Sequence, residues 1–235
     1  MANIINSDEF AGKIYEKLKP SGWNTALRTF IKSSDFTEIL NSLQEEVKLN
    51  KRFTPTFKYI LQPFELCNYE DVKVVLLAES PYKEINHSDG LAFSCSRLKK
   101  PQSSLSKLHY GINNTVKNSL ASSNDLSYLA KQGVLLLNTS LTTEIGRTDT
   151  HRKHWKPFIA NLLDHLQYNK PELVYLMLGE KAQYWEDTIE DSNKVVRASY
   201  PAQEDYAKQY TWDCENCFNK VNEILASQEL PGIDW

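Results

Sequence analysis

Hydrophobic positions change their spacing partway along the chain. In segments 8–18 and 36–49 they recur at helical intervals, and Ser33, Ser34 and Asp35 offer a cap for the second segment. Residues 53–64, FTPTFKYILQPF, interrupt the period with two prolines among several aromatics and read as an extended connector. Four apolar runs follow: Val72–Leu77, Gly133–Leu137, Leu173–Leu178 and Lys194–Ala198. Three of these are nearly continuous, the pattern of strands covered on both faces. Helical patterns at about 105–120, 154–168, 180–187 and 213–226 separate and follow them. Strands alternating with helices predict an α/β fold in one domain, residues 1–235. Its core would be a four-stranded, mainly parallel sheet flanked by helices, with residues 1–52 as N-terminal helices packed on it.

Composition narrows the class. A chain of 235 residues with 41% hydrophobic and 24% charged residues can bury a full core. It has no apolar run of about 18 residues to span a membrane. The start, MANIINSDEF, lacks a basic region followed by an apolar one, so a cytoplasmic location is expected. A net charge of −3 argues against a surface that binds nucleic acid all over, but leaves room for a local basic face. Cys214-Glu-Asn-Cys217 has metal or redox spacing; no second such pair completes four ligands, so all four cysteines read as reduced thiols. Neither GxGxxG nor a P-loop occurs, and no cofactor is expected.

The polar groups worth chemistry gather around residues 72–94, VKVVLLAESPYKEINHSDGLAFS, where a buried strand runs into a crowded turn. Ligands of open α/β sheets sit beyond such strand ends. Taken alone, Phe93 could be a core aromatic, Asn138 a turn cap, and Glu79 and Asp89 solvated loop acids. The cluster His151, Arg152, Lys153, His154 could face solvent or DNA.

These patches, with LAKQGVLLLNTSLT at 129–142, LVYLMLGEKAQ at 173–183, ASYPA at 198–202 and the closing PGIDW, follow one another in the order seen in the uracil-DNA glycosylases. The chain resembles that family over roughly residues 20–235, and most closely its family 1 members. The resemblance implies an enzyme that flips a base out of DNA and cuts its bond to the sugar. It makes Phe93 the stacking aromatic, Asn138 the amide that reads the pyrimidine edge, and Tyr82 the wall at the pyrimidine C5 position. Ser104 and Lys83 become phosphate contacts, and His151 and Arg152 part of a DNA-facing cluster.

The same resemblance exposes substitutions. The water-orienting aspartate falls on Ser80, leaving Glu79 or Asp89 to supply a charge. The histidine that faces the departing base falls on Tyr200, whose hydroxyl can still donate. The serine after it becomes Ala202, the wedge leucine becomes Glu204 (Gln203 if the loop shifts by one), and a serine at a Gly-Ser turn becomes Glu180. Acids facing phosphate weaken binding to ordinary DNA. The expectation is a DNA glycosylase of altered specificity, acting on a damaged or modified pyrimidine such as a phage-modified base. The alternative is a catalytically silent relative that serves as a DNA- or protein-binding scaffold. Expected partners are single- or double-stranded DNA and a protein partner, with no membrane, for a monomeric chain.

Overall fold

The computed structural model describes residues 7–119, 121–201 and 211–235. The N-terminal helices are α1 (Ser7–Leu18), α2 (Trp23–Ala26), α3 (Arg28–Ile31) and α4 (Ser34–Lys48). Of the three capping candidates, Ser33 holds the start of α4, its Oγ accepting the Phe36 N–H at 3.2 Å. The connector carries β1 (Phe53–Thr54) and ends in a helix, α5 (Gln62–Leu66), where only extended chain was expected. Pro63 lies in the first turn of α5, where a missing N–H costs no hydrogen bond.

The remaining elements are β2 (Val74–Ala78), α6 (Ser103–Thr115), α7 (Ser127–Ala130), β3 (Val134–Asn138), β4 (Thr143–Glu144), α8 (Arg152–Asn169), β5 (Val174–Leu178), α9 (Glu180–Gln183), β6 (Val195–Ala198) and α10 (Cys217–Ser227). Four strands form a parallel sheet in the order β3-β2-β5-β6, matching the predicted apolar runs. β1 and β4 pair antiparallel as a separate two-residue ladder. Every residue of β2, β3 and β5 is buried, as parallel strands between helical layers must be.

Side-chain alternation splits the core into two layers. Val75, Leu77, Leu135, Leu137, Tyr175 and Met177 pack against the N-terminal helices and α8. Val74, Leu76, Ala78, Val134, Leu136, Leu176 and Leu178 pack against α6, α7 and α10. The chain leaves β2 for β3 on one side and then returns across to β5. The order therefore reverses between β2 and β5, the place where an open sheet leaves a crevice beyond its strand ends. No helix among the described residues is long and apolar enough to cross a membrane.

Candidate active site at the carboxyl ends of the parallel strands

The crevice is built from the turn after β2, the segment 89–96 alongside β3, the head of α6 and the turns after β5 and β6. Leu77 pairs with Met177, so two residues further along Glu79 comes next to Gly179. Gly179 has φ +90°, and a Cβ placed on it would lie 2.8 Å from Tyr200 Cβ and 2.9 Å from Glu79 Oε1. Only glycine lets these three segments close together.

Glu79 Oε2 accepts a hydrogen bond from Lys181 Nζ at 3.0 Å, and the same ammonium lies 3.5 Å from Asp149 Oδ2. Asp149 in turn pairs with Arg152 Nε at 3.4 Å. Burial would pull the Lys181 ammonium down, but its bonds to Glu79 and Asp149 outweigh burial and raise it above its ordinary value. Burial raises the Asp149 carboxyl, against the pull of Lys181 and Arg152. The result is a cation held against the Glu79 carboxylate at the rim of the crevice.

Tyr82 donates to the Phe93 carbonyl at 2.6 Å and accepts from Ser104 Oγ at 3.2 Å. Ser104 also bonds Tyr200. Burial pushes both phenols well up, and Glu79 pushes Tyr200 further, so both stay protonated and able to donate. Glu79, Ser80, Tyr82, Lys83, Ser104 and Tyr200 share one open cleft of about 230 Å³.

Phe93 lies against Tyr200 of this cleft, and Asn138 ends β3 on the same side of the sheet. Ala92 N–H donates to Leu136 O at 3.1 Å, which lays Phe93 beside the tip of β3. Asn138 shares its face with Val134 and Leu136, members of the layer that also holds Phe93. Asn138 is 2% exposed, and its side-chain amide has no hydrogen-bond partner among the described residues. Across the Phe93 ring lies Tyr200, with centroids 5.6 Å apart and planes 32° from parallel. Stacked rings need roughly 3.5–4 Å each, so a base lying between them needs about 7 Å. A base can reach Phe93 only by displacing the Tyr200 ring.

Asp89 does not line the cleft. Its Oδ2 accepts from Ser94 Oγ at 2.7 Å and Ser96 N–H at 2.8 Å, and its Oδ1 from Leu91 N–H at 3.3 Å. Those bonds shape the segment that carries Phe93.

The DNA-facing expectation for His151 is corrected. It is 1% exposed, its Nδ1 lies 2.8 Å from Thr142 Oγ1 and its Nε2 3.0 Å from Glu46 Oε2. Trp155 Nε1–H donates to that same Thr142 hydroxyl at 2.7 Å, so Thr142 ties both rings together. His151 thus pins α4 to the start of α8. Arg152 is exposed and engaged with Asp149. Ala202, Gln203 and Glu204 lie outside the described residues. Lys181 escaped the sequence reading; its place three residues past the end of β5, in GEK, was its only signal.

Comparison with known proteins agrees with this arrangement. The family model described as Uracil DNA glycosylase superfamily matches residues 64–226. The chain is 32% identical over 206 residues to the uracil-DNA glycosylase of Mesomycoplasma hyopneumoniae, covering 87% of this chain and 92% of that protein. It is 30% identical over 215 residues to the uracil-DNA glycosylase of Campylobacter jejuni subsp. doylei, covering 91% of this chain and 92% of the relative. The crystal structure of mimivirus uracil-DNA glycosylase shares the fold, with a TM-score of 0.82 at 20% identity over 94% of this chain and 88% of that one. The sheet order, the site at its carboxyl edge and these matches together show that the chain belongs to the uracil-DNA glycosylase superfamily.

Proposed function

We propose that the chain hydrolyses the N-glycosidic bond of a pyrimidine turned out of DNA, and that this pyrimidine is damaged or modified. The observation that carries the reading is the meeting of the Glu79 carboxylate and the Tyr200 phenol in one cleft, with the Tyr200 ring lying over Phe93 and Asn138 buried at the tip of β3. The two relatives above are named for uracil in DNA, and the same class of reaction suits these parts.

In this reading, the base displaces Tyr200 and stacks on Phe93 while Asn138 reads its edge. Tyr82, fixed by its bonds to Phe93 and Ser104, leaves room for a small group at C5 and refuses a bulky one. Tyr200 donates to the oxygen on which negative charge grows, and Glu79 faces the sugar as it becomes cationic. Ser80 holds water but brings no charge. With weaker help at the sugar, the reaction favours a base that leaves more readily. The preferred substrate is therefore a pyrimidine with a small, electron-withdrawing C5 group. Lys83 and Ser104 contact the strand.

Base release is measured on single- and double-stranded oligonucleotides carrying uracil, 5-fluorouracil, 5-hydroxymethyluracil or a glucosylated pyrimidine. The 5-fluoro base should leave fastest and the glucosylated one not at all. If no base is released above an enzyme-free control, the hydrolase reading fails.

One observation favours a second reading, a silent scaffold: Tyr200 already covers the face a base would use. Tight duplex binding that ignores the identity of the base, with no release, would select that role.

A further inference from the structure

Two hydrophobic hollows meet at Phe57, away from the cleft, where α1, α4 and the connector 53–64 come together. The first, about 250 Å³, is walled by Ile14, Leu43, Ile60 and Trp155, with Lys13, Lys17 and Lys58 also lining it. The second, about 370 Å³, is walled by Val47, Phe53, Ile85 and Ile145, with Lys51, Arg52 and Arg97. Phe57 lines both and forms the ridge between them. Exposed apolar side chains gather at this ridge. Val47, Leu49, Phe57 and Ile85 are between 41% and 70% exposed, and every other exposed large hydrophobic among the described residues is a tyrosine, which offers water a hydroxyl. Val47, Phe57 and Ile85 line the second hollow, and Leu49 precedes its residue Asn50 in the chain. Apolar side chains left in water together, around preformed hollows, mark a surface that another molecule covers.

Charge narrows what that molecule is. The chain carries 30 acids against 27 lysines and arginines, yet six basic residues and no acid line the two hollows. Lys51 and Arg52 are exposed and make no ion pair among the described residues. Arg97 is fixed in place, donating to the Ser88 carbonyl and lying 4.7 Å from the centre of the Tyr59 ring. Lys17 is spoken for by Glu65 at 2.7 Å, while Glu46 and Glu144, on neighbouring elements, are turned to His151 and Arg147. The face is therefore positive, and a molecule that matches it is acidic.

A single strand of DNA is acidic too, but it grips a protein through ring faces on which its bases stack. Phe57 is the one exposed aromatic lining either hollow, and Phe10 and Phe53 meet its ring edge to face at 6.2 Å and 5.1 Å. Its exposed neighbours Val47, Leu49 and Ile85 are aliphatic and give a base nothing flat to lie on. Aliphatic knobs around two hollows, set among cations, suit a helix that is apolar on one face and acidic on the other.

We propose that this face docks an acidic amphipathic helix of a partner protein. One bulky apolar side chain of the helix sits in each hollow, on either side of Phe57, and its carboxylates lie against Lys51, Arg52 and Arg97. The turn after β2 divides this face from the cleft: Lys83 and Glu84 line the cleft, and Ile85 and Asn86 line the second hollow. A docked helix lies beside the cleft without filling it, so the chain is held by its partner while the cleft stays open.

The test uses the full chain and does not depend on base release. A display library of random peptides is selected on the protein, and the most enriched peptide is synthesised with a fluorescent label. Enriched peptides should be net acidic, with bulky apolar residues at the helical spacings of three, four or seven. The labelled peptide should bind at least about tenfold more weakly to Ile85→Glu, and to Lys51→Glu combined with Arg52→Glu, and more weakly as salt rises. All three positions are exposed, so both variants should unfold at the parent's temperature. A photo-crosslinker on the peptide should label residues of 47–58 or Ile85. Failure to enrich any peptide, enrichment without an acidic bias, or binding that survives both variants would overturn the proposal. An unmodified single-stranded oligonucleotide that displaces the peptide and crosslinks to the same residues would overturn it in favour of nucleic acid.

Discussion

Replacing His151 with Asn tests whether that imidazole is a strut between helices or a hand on DNA. His151 is buried in the neutral form: burial, helped by His154, pulls it from an ordinary 6.5 to about 4. An unfolded chain takes up this proton as pH falls through 6.5, while the folded chain resists until about 4. The native state thus binds fewer protons, and the stability from this group is complete above 6.5 and shrinks as pH falls towards 4. At 1.36 kcal/mol per unit, the loss between pH 7.5 and pH 5 works out at about 2 kcal/mol. Glu46 runs the other way, since burial raises its carboxyl and protonation then favours the fold. Both proteins keep Glu46, so the difference between them isolates the histidine to first order. Urea unfolding at the two pH values should show the Asn variant less stable at pH 7.5 by about 1–3 kcal/mol, from the lost hydrogen bond to Thr142 in a buried site. Its further loss on going to pH 5 should be smaller by about 2 kcal/mol. The slope of DNA affinity against salt should not change. A variant with the parent's pH dependence, or one with a shallower salt slope, would refute the argument.

Other substitutions probe the cleft. Tyr200→Phe removes the donor but keeps the ring, so single-turnover base release should fall by about 10²–10³ with little change in DNA affinity. Asn138→Ala removes a buried amide with no hydrogen-bond partner among the described residues, so thermal unfolding should be unchanged or slightly later while discrimination between bases collapses. Gly179→Ala forces a methyl against Tyr200 and Glu79 at positive φ, and should cost about 1–3 kcal/mol in unfolding along with base release. Lys181→Met should lower base release, and Lys181→Arg should restore part of it, if the cation holds Glu79 in place.

The scaffold was more legible than the site. Runs such as Val74–Ala78 are apolar along their whole length because both faces are covered, so composition alone marks them. Ser33 announced its helix for a local reason, an oxygen within reach of a nearby N–H. The cleft depends on contacts between segments far apart in sequence. Tyr200 resting on Phe93 joins the segments after β2 and β6, and no pattern within either predicts 5.6 Å between their rings. His151 read as a surface cation because its partners Glu46 and Thr142 come from other elements. Asp89 read as a free acid because its three donors appear only once the chain has curled round it.

Phe93 has a φ of 63°, a backbone state that an aromatic residue enters reluctantly. Glycine or asparagine there would relax the main chain, so local comfort argues for losing the ring. Directed evolution for heat resistance alone, with no demand for activity, should drift towards those smaller residues. Selection that restores the aromatic against this drift would show that the flat surface, and not the bend beneath it, is what this position is kept for.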